Sequence, residues 1–219
     1  MAMAESGAPA RERLIRAASD LFRRYGAAAV GVDAILAEAG VAKATLYKIF
    51  GSKDALMEAV LERRAAEWRA WFFGELENAG REPRAQLAHA FAALRLWFEN
   101  GDAFFRPWFA ALGERERADG RLHDIAHAHA QALREGLERI ARAAAAPAPR
   151  ALAEQMLVLI DGAVAGAVLS GTAHAATIAG EAFERLFDGP SKKGGNDAPQ
   201  GTDRAHHGRG QRHLPHDRT

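Results

Sequence analysis

Lys43, Ala44, Thr45, Tyr47, Lys48 and Lys53 form the window of this chain with the clearest chemical potential. The chain holds only five lysines among its 29 basic residues; three of them stand here, with no acid before Asp54. Ammonium and hydroxyl groups donate to phosphate oxygens, lysines also reach guanine edges, and a threonine methyl can meet thymine. Ala44 is small enough to let a helix backbone approach a groove. At 100° per residue, Lys43, Ala44, Tyr47 and Lys48 share one side of a helix, with Thr45 at its edge. Leu46, Ile49 and Phe50 share the other. A short helix with a basic, hydroxyl-bearing face predicts insertion into the major groove of double-stranded DNA. Lys53, at the start of the following helix, would add a phosphate clamp beside free backbone N–H groups. Face geometry alone does not separate this from an ordinary solvated helix face.

Three further groups of residues could do chemistry. Trp68, Trp71, Phe72, Phe73, Phe91, Trp97, Phe98, Phe104, Phe105, Trp108 and Phe109 crowd one region that includes all four tryptophans. Most would build a core, yet so many large rings in a small helical domain are hard to pack without leaving a cleft. His123 and His127, one helical turn apart beside Asp124 and near His129, have a spacing that can hold a divalent metal. No third ligand is apparent, so no metal is predicted, and His127 is expected to face a pocket. Leu152, Met156, Leu159, Ala163, Gly166 and Ser170 step by four and three with side chains that shrink along the row. With Ile178, Ala182 and Leu186 they predict a dimer interface; packing within one subunit is the competing account.

These residues must be positioned by helices. Ala, Leu, Arg and Glu dominate between Gly and Pro punctuation, and strand-like alternation is nearly absent. A first helix runs from about Pro9 to Tyr25, with Leu14, Ala18, Leu21 and Tyr25 on its inward stripe. A second covers Val32–Ala39, with Val32, Ile35 and Leu36 inward and Gly40 as its stop. The short basic helix follows, and Ser52 caps a long helix reaching about Asn78. Further helices are predicted over Pro83–Asn100, Ala103–Gly113, Arg121–Ala146, Arg150–Ser170 and Ala173–Phe187. From Asp188 the composition turns to Gly, His, Asp, Arg, Lys and Pro, which predicts a disordered tail. Its histidines, among them His206, His207, His213 and His216, could take up metal adventitiously. Arg11, Arg13, Arg23 and Arg24 share the first helix with Glu12 and Asp20 and read as a solvated face.

Composition limits the function classes. The 48% hydrophobic and 26% charged fractions are those of an ordinary globular protein. A net charge of +1 means that any nucleic-acid affinity must come from a local patch. The chain has no cysteine, which excludes disulfides and thiolate metal sites and fits a cytoplasmic location. Met1–Ala10 lacks the apolar core of a signal peptide. The run Met156–Leu169, broken by Asp161, reads as too short to cross a bilayer.

Three helices before Ser52, the last two joined at Gly40, form a helix-turn-helix pattern. Here the sequence resembles the TetR family of bacterial transcriptional regulators. The likeness lies in Ile15–Gly26, Ile35–Val41, and above all Lys43–Phe50 followed by Ser52-Lys53-Asp54-Ala55-Leu56. The family pattern there is Gly-Val-Ser-x-x-Thr-Leu-Tyr-x-x-Phe and then Lys-Glu/Asp-x-Leu. Two positions depart from it. Ala42 replaces the usual Ser, removing an N-cap worth about 1 kcal/mol, and Gly31 replaces the usual Thr or Ser before the second helix. Both changes lose hydroxyls that could reach phosphate.

The resemblance implies an all-α protein with a helix-turn-helix DNA-binding domain over residues 1–52 and a helical effector-binding and dimerisation domain over 53–187. It implies a homodimeric, ligand-responsive regulator, a repressor released from a pseudo-palindromic operator by a small apolar or aromatic effector. No cofactor and no membrane partner are expected. The effector pocket would draw on Trp68, Trp71, Phe72, Phe91, Trp97, Phe105, Trp108, Phe109 and His127, and the long helix from Ser52 would act as the lever between ligand and DNA. The competing class is an all-helical metal-dependent enzyme using His123 and His127.

Overall fold

Eight helices, and no strand, make up the described residues of the computed structural model, which are 8–100 and 120–188. They are α1 (Ala10–Tyr25), α2 (Val32–Ala39), α3 (Lys43–Phe50), α4 (Lys53–Asn78), α5 (Pro83–Glu99), α6 (Arg121–Ala143), α7 (Pro149–Ser170) and α8 (His174–Asp188). The expected helix over Ala103–Gly113 and the tail beyond Asp188 lie outside them.

Helices α1, α2 and α3 pack on one another around Leu14, Ala18, Ile35 and Leu46, all inaccessible to solvent. The chain leaves α2 through Gly40, which adopts a left-handed conformation (φ 59°, ψ 43°) that a side chain would disfavour. The Arg13 guanidinium donates to the Gly40 carbonyl at 3.4 Å, so α1 braces the turn. As the sequence implies, neither Gly31 nor Ala42 offers a side-chain cap, whereas the Ser52 hydroxyl accepts from the Ala55 N–H at 3.0 Å and starts α4 firmly.

Helix α4 is the main connection between this bundle and the rest of the fold. Its N-terminal half packs on α1 and α3, and it also packs on α5 and α6. Twenty-six residues give it a length of about 39 Å. Arg63 of α4 donates to Glu67 at 2.8 Å and reaches across to Glu12 of α1, and these bonds hold its guanidinium above its ordinary pKa. Arg121 at the start of α6 grips α4 through Glu58 at 2.9 Å and Glu62 at 3.6 Å. Beyond α4, α5 lies against α8 and α7 against both α6 and α8. Gly166 of α7 sits where an added Cβ would come within 2.7 Å of the Ala175 Cβ of α8, so the α7–α8 crossing depends on that glycine.

Two inward assignments need correcting. Tyr25, placed on the α1 stripe by its spacing, is 64% exposed, because the buried stripe stops at Phe22 and α1 ends at Gly26. Ile49 is 37% exposed, because only the Leu46 and Phe50 sides of α3 meet the other helices. Helix α7 also differs from expectation. At 22 residues it is long and apolar enough to cross a membrane by length and composition alone. In the fold its inner side packs into the bundle instead, with Ala153, Met156, Ile160 and Ala163 at 2% exposure or less.

Candidate nucleic-acid interface and effector cleft

The basic side of α3 faces outward. Leu46 anchors the helix with no exposure, and Lys43, Ala44, Tyr47 and Lys48 lie exposed around it, with Thr45 half-buried at the edge. Tyr47 is 45% exposed, unusual for a tyrosine with a core at hand, and its hydroxyl is free to turn toward a phosphate. Lys43 lies 3.8 Å from Asp33 of α2, with both side chains well exposed, so the pair adds little energy and leaves the lysine able to exchange partners. Arg11 lies over the Phe50 ring at 5.7 Å, bringing a further cation to the end of α3. Lys53 is half-buried and donates to the Ala27 carbonyl at 3.1 Å, tying the start of α4 to the α1–α2 turn. An ammonium has three donors, so this bond leaves two for other acceptors.

The predicted pocket residues separate in the structure. Trp68, Phe72, Phe91 and Trp97 are buried at 7% exposure or less, while Trp71 is half-buried. Trp68 stacks on Phe72 at 4.9 Å and meets Trp97 edge-on at 6.0 Å, which makes these rings core filling. Phe91 packs on Phe183 of α8 at 5.6 Å, in a different part of the core. Phe105, Trp108 and Phe109, with Phe104, lie outside the described residues. His127 is exposed, which corrects its expected pocket-facing position. Helical geometry explains the error. The inward stripe of α6 is Leu122, Ile125, His129, Leu133 and Leu137, and His127 falls opposite it. The His123 and His127 rings stack at 6.4 Å, and no group of three His, Asp or Glu suited to a metal occurs among the described residues.

An open cavity of about 340 Å³ lies between α4 and α6. Its walls are Glu62, Ala65, Arg69, Arg121, Asp124, Ile125, Ala128 and His129. Arg69 bonds His129 Nδ1 at 2.9 Å. Since a guanidinium only donates, that nitrogen is the acceptor of a neutral imidazole. Burial first, and the Arg69 charge second, push the His129 pKa down to about 4, against a smaller opposing effect of its hydrogen bond to the Ala65 backbone. The Trp68 ring lies 5.6 Å from His129 and links the cavity to the aromatic core. Residue pattern alone singled out neither Arg69 nor His129 as a site residue. The one available signal was that His129 sits four residues from Ile125 and from Leu133, in phase with the buried stripe.

The expected dimer seam also divides. Leu152, Met156 and Ala163 are buried within the subunit at 7%, 0% and 2% exposure, and Gly166 serves the α7–α8 crossing. The reason is that α7 carries apolar residues on both sides, and this step of four and three traces the inner one, while Glu154, Gln155 and Asp161 lie exposed on the other. Its exposed apolar residues are Val158 (70% exposed), Leu169 (88%) and Gly162, whose added Cβ would meet nothing within 4 Å; the half-buried Ala165 and the exposed Asp161 lie beside them. Leu159 and Ala182 are half-buried, whereas Ile178 and Leu186 of α8 are exposed at 54% and 43% and extend the outer patch.

Residues 14–60 match the model of the bacterial regulatory proteins of the tetR family. The fold is similar to that of a tetR-type transcriptional regulator from Streptomyces avermitilis, with 28% identity and a TM-score of 0.64 over 81% of this chain and 99% of that one. It is also similar to a TetR-family regulator from Streptomyces coelicolor, with 25% identity and a TM-score of 0.66 over 80% of this chain and 92% of that one. The reduced form of Escherichia coli NemR shares the fold at 19% identity, with a TM-score of 0.69 over 80% of this chain and 95% of that one. No curated protein matches the chain at a significant level.

Proposed function

We propose that this chain is a DNA-binding transcriptional regulator of the tetR type, whose surfaces share the work as follows. Two copies join through the outer faces of α7 and α8, centred on Val158, Gly162, Leu169, Ile178 and Leu186. Each copy lays α3 in the major groove of one half of a pseudo-palindromic operator, with half-sites one or more turns apart, about 34–36 Å per turn. Tyr47 and Thr45 give hydroxyls to phosphates, Lys43 and Lys48 reach phosphates or guanine edges, and Ala44 allows close approach. Lys53 and Arg11 add charge at the ends of the helix. The division of labour assigns residues 1–52 to DNA and 53–187 to effector and partner, in the cytoplasm.

The cavity between α4 and α6 is the effector site in this reading. Its wall is α4 itself, so a ligand there acts directly on the helix that carries α3. Repression is relieved when the ligand favours a spacing of the two α3 helices that the operator does not accept. A hundredfold loss of operator affinity needs about 2.7 kcal/mol of coupling. Regulators of this family are not enzymes, and the two exposed histidines of α6 gain no role from the enzyme alternative.

The observation that carries this proposal is the outward face of α3, basic and hydroxyl-bearing over a fully buried Leu46. Its test is binding of the full chain to the DNA upstream of its own gene across a salt series. Tyr47→Ala with Lys48→Ala should weaken binding by about a hundredfold and flatten the salt slope by about one unit per subunit. Unchanged affinity and slope in the double variant would overturn the assignment.

A further inference from the structure

The cavity between α4 and α6 carries a chemical preference that its apolar surroundings do not suggest. Arg69 reaches it from α4 as a half-buried cation, and burial lowers its pKa. Among the described residues its one protein partner is the neutral His129 ring, and none of their carboxylates lies within ion-pairing distance of it. The other cation of the cavity, Arg121, is already paired with Glu58 and Glu62. A guanidinium has five N–H donors in a planar fork, and one of them goes to His129, which leaves a geometry suited to the two oxygens of a carboxylate. His129, 9% exposed, holds that fork in place by accepting at Nδ1 while it is itself bonded to the Ala65 backbone.

We infer that the effector cavity takes a small organic monocarboxylate, its carboxylate forked on Arg69 and its apolar body resting on Ala65, Ile125 and Ala128. This rests on the reading of the cavity as the effector site and adds the class of effector. A single negative charge is favoured. Glu62 and Asp124 also line the walls, so the four charged side chains there sum to zero, and a phosphate dianion or a dicarboxylate would meet acids with its second charge. A cavity of about 340 Å³ suits a molecule of roughly ten non-hydrogen atoms. Its entry alongside Glu62 and Arg121 would strain the ion pairs by which α6 holds α4, which gives the ligand a physical route to the lever.

The test uses the full chain with two acids, phenylacetate and octanoate, and their amides. Binding is read by calorimetry and by tryptophan fluorescence, since Trp68 lies 5.6 Å from His129. Each acid should bind at least tenfold tighter than its amide. Arg69→Met should abolish that preference, and Arg69→Lys should keep part of it, because an ammonium retains the charge without the fork. The comparison of acid with amide on the unaltered protein needs no variant, so a folding defect in Arg69→Met would not spoil the test. Equal affinity of acids and amides, no binding of either, or a preference surviving Arg69→Met would overturn the inference. Operator release, measured in parallel, separates the two readings. Acids that bind through Arg69 without releasing DNA would leave the carboxylate site standing and remove its role as the switch.

Discussion

Among the described residues, helices α3 and α7 each leave one face uncovered, yet the two faces suit different partners. On α3 the open face carries Lys43, Tyr47 and Lys48, exposed groups whose donors suit an anionic partner such as phosphate. On α7 it carries, beside the exposed Asp161, the apolar Val158, Gly162 and Leu169, which gain by leaving water, and the glycine allows another helix to come close. The sides packed inside are equally apolar, Leu46 in one helix and Met156, Ile160 and Ala163 in the other. A polar residue opposite an apolar one therefore marks orientation in α3. In α7 the exposed Glu154, Gln155 and Asp161 mark the outer side, but the apolar Val158 and Leu169 stand among them, and their exposure follows only from what the neighbouring helices cover.

The strongest way to break this comparison is to give α7 the outer chemistry of α3. Val158→Glu with Leu169→Glu should turn the dimer into a monomer in sedimentation experiments and weaken operator binding by at least a thousandfold, since one half-site contact is lost. Met156→Ala, on the inner side, should instead leave the dimer intact and lower stability by about 2–5 kcal/mol in denaturant titration. If both variants behave alike, the two sides of α7 are not the distinct surfaces described above.

A smaller effect should come from the polar group that the interior does admit. His129 titrates at about 4 in the fold against 6.5 when exposed, so the unfolded chain binds the extra proton between those values. Its contribution is therefore neutral above pH 6.5 and turns destabilising as pH falls toward 4, by about 3 kcal/mol at the low end. Arg69, Arg121, Glu62 and Asp124 line the same cavity, so the measurement is the stability difference between wild type and His129→Gln across that range. A difference that does not change with pH would count against the buried neutral ring.

The smallest effect would sharpen α3 itself. Ala42→Ser supplies the N-cap hydroxyl that the helix lacks and should raise stability by about 1 kcal/mol in thermal unfolding. The same hydroxyl should strengthen operator binding if it also reaches phosphate. A stability gain with no gain in binding would place this end of α3 away from the DNA backbone.

Much of the fold was legible in the residue pattern. The boundaries of α2, α3 and α4 follow from Gly40, Ser52 and the periodicity between them, because caps and stops act locally. The outward set Lys43, Ala44, Tyr47 and Lys48 was readable because polarity and helical angle agreed. Ile49 and Tyr25 were misplaced because an apolar residue at the right angle is buried only if another element covers it. His127 was preferred to His129 on spacing to His123, although the stripe of Leu122, Ile125 and Leu133 already pointed to His129.

Local chemistry in the chain settled its helical class, the turn at Gly40, the basic face of the third helix and the likeness to a regulator family. These depend on neighbours within a few residues, and sequence order preserves such neighbours. Tertiary packing alone decided which apolar residues of α7 and α8 stay exposed, and that Arg69 of α4 meets His129 of α6 at the wall of a cavity. Those outcomes join residues 60 positions apart, or turn on which apolar side chains a neighbouring helix covers, and only the arrangement of the surrounding helices decides them.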